Sequence, residues 1–143
     1  MKKILIPLIL LCLITCAACQ GGASKKEDPA AGLSLSVKNA VNLAEDGKST
    51  IVYTIANQGK ADWKVSEMPA IACRNDKNEW VDLDLNMKFE SASTKLTPNM
   101  ELTVEKTVDV KLESGVTYRL SLTLENIASG EPATLTAEFT TSK

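Results

Sequence analysis

The sequence contains no histidine. Many enzymes activate a serine or cysteine nucleophile with an imidazole, and histidine is also the commonest metal ligand in proteins. Its absence excludes Ser-His and Cys-His catalytic pairs and histidine-ligated metal sites. We therefore expect a protein that is not an enzyme and that carries no cofactor.

Close pairs of carboxylates are few, and the tightest is Asp82 with Asp84. Residues two apart on a strand share a face, so both side chains would point away from Val81, Leu83 and Leu85. Such a pair could supply oxygen ligands to Ca²⁺. The inward leucines already explain the pattern as a polar outer face, so we expect no metal site.

Cysteine is scarce in the body of the chain. Of the four cysteines, Cys12, Cys16 and Cys19 lie near the N-terminus and only Cys73 lies beyond them. One cysteine cannot form an intramolecular disulfide. Because Cys73 ends the apolar run 70–73 and has no histidine to activate it, we expect a buried, unreactive thiol.

Blocks of a single charge are absent as well. Residues 20–143 contain 14 basic and 18 acidic residues with their signs interspersed. Nucleic-acid binding requires a basic patch, so nucleic acid is not an expected partner. Aromatic residues make up only 4% of the chain, so a core must consist mainly of Leu, Val and Ile.

A secretion signal is present at the N-terminus. Lys2 and Lys3 precede an apolar run over residues 4–18 that ends in small residues, and this arrangement is typical of a signal peptide. A membrane-spanning helix needs roughly 20 apolar residues. Residues 1–18 are therefore predicted to be a cleaved secretory signal peptide rather than a retained membrane helix.

The sequence TCAACQGG at residues 15–22 resembles the lipobox of bacterial lipoproteins, in which a cysteine that follows small residues is acylated and becomes the mature N-terminus. The resemblance implies a lipidated Cys19 and an extracytoplasmic protein anchored to a bacterial membrane, because two acyl chains hold a protein stably. Cys16 stands where such signals usually carry an aliphatic residue. Acylation of Cys16 and an ordinary cleaved signal are the alternatives.

Residues 19–32 combine the lipidated cysteine with a flexible linker of small and charged residues. A flexible coil of this length has a root-mean-square span of about 20 Å. The folded part of the chain is therefore expected to work close to the membrane, as a monomer.

The rest of the chain is organised around residues 112–124, LESGVTYRLSLTL. Apolar and polar residues alternate there, as in a strand that buries one face. Leu112, Gly115 and Tyr118 have the spacing of a tyrosine corner, in which the ring is buried and the hydroxyl returns to a preceding backbone group.

Similar alternation, with turn residues between the segments, predicts further strands. A break in the pattern near Lys106 and Thr107 predicts a bulge or a bend. Seven to nine strands predict an all-β, Greek-key immunoglobulin-like sandwich over residues 33–143. The first of the other predicted strands covers residues 33–37 and can continue to residue 43. The rest cover residues 49–57, 63–65, 70–74, 79–85, 101–112 and 134–140.

Residues 33–143 also resemble a known family. They are similar to the immunoglobulin-like domains of bacterial surface lipoproteins and, more broadly, to the bacterial proteinase-inhibitor domains of the BsuPI type. The resemblance implies a sandwich used for binding or presentation, and it implies no catalytic residue. It depends on the tyrosine corner together with Tyr53-x-Ile55-x-Asn57, Trp80 and Phe139.

The predicted binding surface is Trp63 with Lys60 and Lys64 beside it, because exposed aromatic residues are enriched at binding surfaces. Trp80 is expected instead to fill the core between the sheets. Arg119 is expected to face water in a salt bridge.

Two long loops, residues 86–99 and 125–133, are further candidates for recognition, since loops on rigid sandwiches often carry it. The favoured function is a non-enzymatic lipoprotein that binds a protein or an envelope component. One alternative is an inhibitor of extracellular proteinases that uses residues 86–99 as a substrate mimic. The other is a carbohydrate-binding module that uses Trp63.

Overall fold

The computed structural model describes residue 28 and residues 30–42, 47–66, 68–85 and 93–141. The predicted signal peptide, Cys19 and nearly all of the linker lie outside these residues. The described part contains strands and turns, and none of it forms a helix that could cross a membrane. Its nine strands are β1 (Leu33–Asn42), β2 (Ser49–Asn57), β3 (Trp63–Ser66), β4 (Ala70–Arg74), β5 (Trp80–Asp82), β6 (Ser93–Leu96), β7 (Met100–Val108), β8 (Thr117–Asn126) and β9 (Pro132–Thr140).

The strands form two antiparallel sheets. Sheet A has the order β1-β2-β7. In sheet B, β9 pairs with β8 on one side, while β4 and β3 pair one after the other with its other side. Strand β5 lies outside β4, and β6 lies outside β3. The chain passes between the sheets after β2, β6 and β7, which is Greek-key connectivity, and the prediction of an all-β sandwich is confirmed.

Pro69 separates β3 from β4. Proline has no backbone N–H to donate to the neighbouring strand, so it interrupts a ladder within a sheet. The alternating segment around Trp63 therefore ends at Ser66, and pairing with β8 resumes at Ala70. The inward-facing residues of both short strands, Trp63 and Val65 of β3 and Ile71 of β4, are buried against sheet A.

The core lies between the two sheets. From sheet A it receives alternate residues of β2, and from sheet B alternate residues of β8, because one face of each strand is covered by the opposite sheet. All of these side chains are at most 4% exposed. They are Ile51, Tyr53, Ile55, Tyr118, Leu120, Leu122 and Leu124.

The bulge lies in β1, so its prediction near Lys106 is wrong. The pairing of β2 with β7 continues without a shift through Lys106 and Thr107. Lys106 occupies a half-buried inward position, where its long stem can lie along apolar surface with the amine in water. In β1 the register shifts between Val37 and Asn39.

The extra residue in β1 is Lys38, and it reverses the faces of the strand's second half. Before it, Val37 is on the inward face; after it, Ala40 is buried and Val41 is 38% exposed. A one-residue insertion has this effect because side chains alternate with a period of two.

The tyrosine corner has the predicted geometry. Leu112 is fully buried, Gly115 has a φ of 81°, and Tyr118 is 4% exposed. The backbone N–H of Glu113 donates to the Tyr118 hydroxyl at 2.7 Å. The ring also stacks on Phe139 of β9, with 5.7 Å between the ring centroids.

Replacing Tyr118 with phenylalanine is expected to lower the free energy of unfolding by about 1–2 kcal/mol, because the part-buried Glu113 N–H loses its acceptor. Burial raises the pKa of the Tyr118 hydroxyl above its ordinary value near 10; the hydrogen bond from the Glu113 N–H opposes the rise, and the Glu113 carboxylate and Cys73 add to it. Urea unfolding curves of the two proteins from pH 7 to 11 measure both effects.

The pH dependence has a definite sign. The neutral hydroxyl is favoured in the folded state, so this contribution to stability is fully present below about pH 10 and is lost as the pH rises through the folded pKa. The wild type should therefore lose stability more steeply than Tyr118→Phe above pH 10. Parallel curves for the two proteins would contradict the assignment.

Candidate functional site

The outer face of sheet B is a grid of side chains fixed by strand register. Cross-strand partners share a face. One row holds Thr117, Arg74 and Trp80, and the next row holds Glu138, Arg119, Ala72 and Asp82. The rest of this face, towards the far end of β8, carries mainly Ser and Thr.

Trp63 is not on the surface, so the prediction that it forms a binding surface is wrong. It is 1% exposed and belongs to the core. Trp63 and Val65 share the inward face of β3, while Lys64 between them is exposed. Because its ring is buried, Trp63 cannot provide the stacking surface that the predicted carbohydrate-binding module requires.

Trp80 is not in the core, which is the opposite of the prediction. It is half-buried on the outer face at the start of β5. The guanidinium of Arg119 lies 4.0 Å from the centroid of its ring, and that of Arg74 lies 4.8 Å away. Ala72, which pairs with Arg119 and lies two residues before Arg74 on β4, is only 5% exposed. We name Arg74, Trp80 and Arg119 the Trp80 patch.

Each arginine of the Trp80 patch has one polar partner among the described residues. Arg74 Nη1 donates to Asn78 Oδ1. Arg119 Nη2 donates to Glu138 Oε1 at 3.4 Å, which confirms the predicted salt bridge of Arg119. A guanidinium has five N–H donors, so both side chains keep donors for a ligand.

A rigid hairpin turn supports the patch. Asn75 Oδ1 accepts hydrogen bonds from the backbone N–H groups of Lys77 and Glu79, each at 2.9 Å. Asn78 adopts a φ of 63°, a conformation that asparagine tolerates better than most residues. The turn aligns β5 with β4 and thereby places Trp80 directly opposite Arg74.

The Trp80 patch lies far from the end of the sandwich at which the linker enters. Leu33 starts β1 opposite Asn57. The Asn57 side chain donates to Ala61 O, and Trp63 pairs with Asn126, so all of these belong to one end, the linker end. Arg119 is seven residues from Asn126 along β8, about 23 Å at 3.3 Å per residue.

Lys60 and Lys64 are exposed, as predicted, but they lie at the linker end. Lys64 is flanked on the outer face by Lys95 of β6 and Glu125 of β8, and Lys95 pairs with Asp62 at 2.7 Å. Without an exposed tryptophan between them, the two lysines do not form the predicted surface.

Of the two candidate loops, residues 126–131 form a tight connection in which Asn126 Oδ1 accepts from the N–H groups of Ala128 and Ser129. Its apolar side chain, Ile127, is 50% exposed. In the other predicted loop, residues 93–96 form strand β6 rather than loop, and residues 86–92 lie outside the described residues. Its use as an inhibitory loop stays a prediction.

A shallow depression lies at the linker end, between Asp28 and the turn at residues 58–61. A Cβ atom on Gly32 would lie 2.6 Å from the backbone nitrogen of Gly59. Gly32 also has a φ of 93°, which favours glycine. The linker's last residues are therefore packed directly against the body of the sandwich.

Asp82 and Asp84 are both exposed. Among the residues that the structure describes, no three or more Asp, Glu or Cys side chains are grouped closely enough to hold a metal ion.

Cys73 is half-buried rather than buried. It lies between buried Tyr118 and Val81, which is 46% exposed, in one inward-facing row. The cover from three-stranded sheet A decreases towards β5, and this explains the exposure of the thiol.

The comparisons with known proteins leave the function open. No protein-family model matches the chain, and no curated protein matches its sequence. One similar solved structure is an X-ray structure of Northeast Structural Genomics Consortium target SoR45, with 14% identity and a TM-score of 0.45, covering 76% of this chain and 84% of that chain.

Another is Bacteroides uniformis beta-glucuronidase 2, with 10% identity and a TM-score of 0.34. The match covers 75% of this chain and 12% of that chain. Likeness at these TM-scores transfers no activity to this chain.

Sequence reasoning missed the Trp80 patch, although a local signal was present. Trp80 lies two residues before Asp82, so an outward Asp82 requires an outward Trp80. In the same way, Trp63 shares a face with Val65 and alternates with Lys64. Strand parity thus distinguished the two tryptophans, whereas their flanking turns did not.

Proposed function

We propose that this protein is a non-enzymatic lipoprotein, anchored to a bacterial membrane through Cys19, whose sandwich binds a protein or envelope component through the Trp80 patch. The observation that carries the binding proposal is Trp80 itself, a half-exposed tryptophan in contact with two arginines on a rigid sheet. Trp and Arg are the residues most enriched at the energetic centres of protein interfaces.

The position of the patch also supports this function. A short linker would hold the sandwich near the membrane, and the linker end, with Gly32, would then face the lipid. The Trp80 patch lies towards the opposite end of sheet B. A partner in the envelope could therefore reach it without displacing the anchor.

The anchor is tested on the full chain in the cells that produce it. The intact mass of the mature protein should correspond to residues 19–143 with a diacylglyceryl group and any further acyl chain on Cys19. Cys19→Ser should leave an unlipidated precursor. A mature wild-type protein that lacks lipid would contradict the anchoring.

The binding surface is tested in the same cells by photocrosslinking. A photoreactive residue at Val81, which follows Trp80 on β5 and is 46% exposed on the opposite face at the same strand edge, should yield a discrete crosslinked species. The same residue at Ile127, which is 50% exposed at the linker end, is the positional control. Trp80→Ala should abolish the crosslink from position 81, and Ile127→Ala should leave it unchanged. A crosslink that survives Trp80→Ala would exclude the patch as the binding surface.

A further inference from the structure

Arg74 is an exposed cation that has no anionic partner among the residues that the structure describes. In the described part of the chain it forms no ion pair, and its one hydrogen bond is to the neutral amide of Asn78. Arg119, by contrast, is paired with Glu138. A guanidinium that lies on an aromatic ring still has N–H donors to offer. It is therefore suited to bind a carboxylate, through two parallel hydrogen bonds.

The aromatic ring of Trp80 is already in contact with charged groups. Two guanidiniums contact it, at 4.0 and 4.8 Å from the centroid. A sugar that binds by stacking requires an open aromatic face, whereas a carboxylate requires the cations that are already held there. The chemistry of the patch therefore favours an anion over a neutral sugar.

The patch borders a strand edge. Among the described residues, β5 pairs with β4 alone. Its Val81 side chain is 46% exposed on the face opposite Trp80. An unpaired strand edge offers backbone donors and acceptors to an extended polypeptide, and a polysaccharide could not use them in a ladder.

We propose that the Trp80 patch binds an acidic segment of a partner polypeptide that extends along the edge of β5, with a carboxylate on Arg74, an apolar side chain against Trp80 and another against Val81 on the opposite face. Asp82 and Glu138 lie next to the patch on the same face of sheet B. Because they repel other carboxylates, they direct the partner's carboxylates towards Arg74. This inference depends on the proposed function and names the chemistry of its partner.

The test measures the affinity of the full-length protein, in detergent at low salt, for a labelled poly-L-glutamate of about ten residues by fluorescence anisotropy. Arg74→Gln should weaken binding about tenfold, as loss of a paired charge does at an interface. Lys64→Gln is the matched control, because it removes the same charge from the outer face of the same sheet at the linker end. It should change the affinity less than twofold.

Three outcomes would overturn the proposal. These are no binding of poly-L-glutamate, an equal loss in both variants, or polygalacturonate binding as tightly as the peptide with the same dependence on Arg74. The first of them, combined with a position-81 crosslink that still requires Trp80, would reject the acidic class while the proposed function stands. A crosslink independent of Trp80 would reject the proposed function itself.

Discussion

Replacing Trp63 with alanine is expected to lower the free energy of unfolding by about 3–5 kcal/mol, the cost of removing a large buried aromatic side chain. Trp63 is 1% exposed and packs in the core with Val65 and Leu124. Small domains are stable by only about 5–15 kcal/mol, so the variant should be largely unfolded at a modest urea concentration. Urea unfolding followed by far-ultraviolet circular dichroism measures the change.

Trp80→Ala is the matched control for Trp63→Ala, since it removes the same side chain from the outer face of the sandwich. We expect a loss of about 1–2 kcal/mol from its partial burial and its cation–π contacts. The two variants should also leave opposite fluorescence signals, with acrylamide quenching the remaining Trp80 more strongly than the remaining Trp63. Equal losses of stability would contradict the assignment of the two tryptophans.

Replacing Asn57 with alanine is expected to cost about 2–4 kcal/mol, because it leaves several part-buried backbone groups without partners. Asn57 is 1% exposed. Its amide nitrogen donates to Ala61 O at 2.8 Å and Leu96 O at 3.2 Å, and its oxygen accepts from Gly59 N at 3.0 Å. One side chain thus joins the end of β2 to the turn that leads into β3 and to the end of β6.

Asn75→Ala is the control for Asn57→Ala. Asn75 also forms three hydrogen bonds through its side chain, but it is exposed, so water can replace them. We expect a loss of about 0.5–1 kcal/mol there. Thermal or urea unfolding of both variants tests whether the loss of stability depends on the burial of the hydrogen bonds rather than on their number.

A third variant, Asn57→Asp, keeps the side-chain volume but removes the amide N–H donors. It therefore measures what the donors alone contribute to stability. The carboxylate keeps the bond from Gly59 N but faces two carbonyl oxygens. The loss should be at least as large as for alanine at pH 7. A stable Asn57→Asp protein would show that the amide hydrogens do not hold the three strands together.

Local pattern predicted much of the fold. The bounds of β2 and β4 agree with the prediction to the residue, and the tyrosine corner has the expected hydrogen bond. Both results follow from properties that a short stretch of sequence contains: the two-residue period of a strand and the left-handed conformation that glycine permits. Strand β5 is shorter than predicted, and β7 ends at Val108 rather than at Leu112.

The bulge in β1 could not be predicted in the same way. Leu33, Leu35 and Val37 continue in phase to Val41, so the pattern favoured an uninterrupted strand. In the structure, Asn42 instead donates to Leu112 O at 2.6 Å and accepts from Ser49 Oγ at 2.7 Å. Asn42 and Leu112 are 70 positions apart in the sequence. Their contact forms in the register in which Lys38 is the extra residue, and a local pattern cannot reveal it.

Outside the bulge in β1, the sequence by itself determined which residues share a face of a strand, because side-chain parity is a local property of the extended chain. It also determined that no imidazole chemistry is available. Only the tertiary structure decided which face is covered, since that depends on how far the three strands of sheet A extend over sheet B. That cover buries Trp63, leaves Cys73 half-buried, and places Trp80 outside between two arginines.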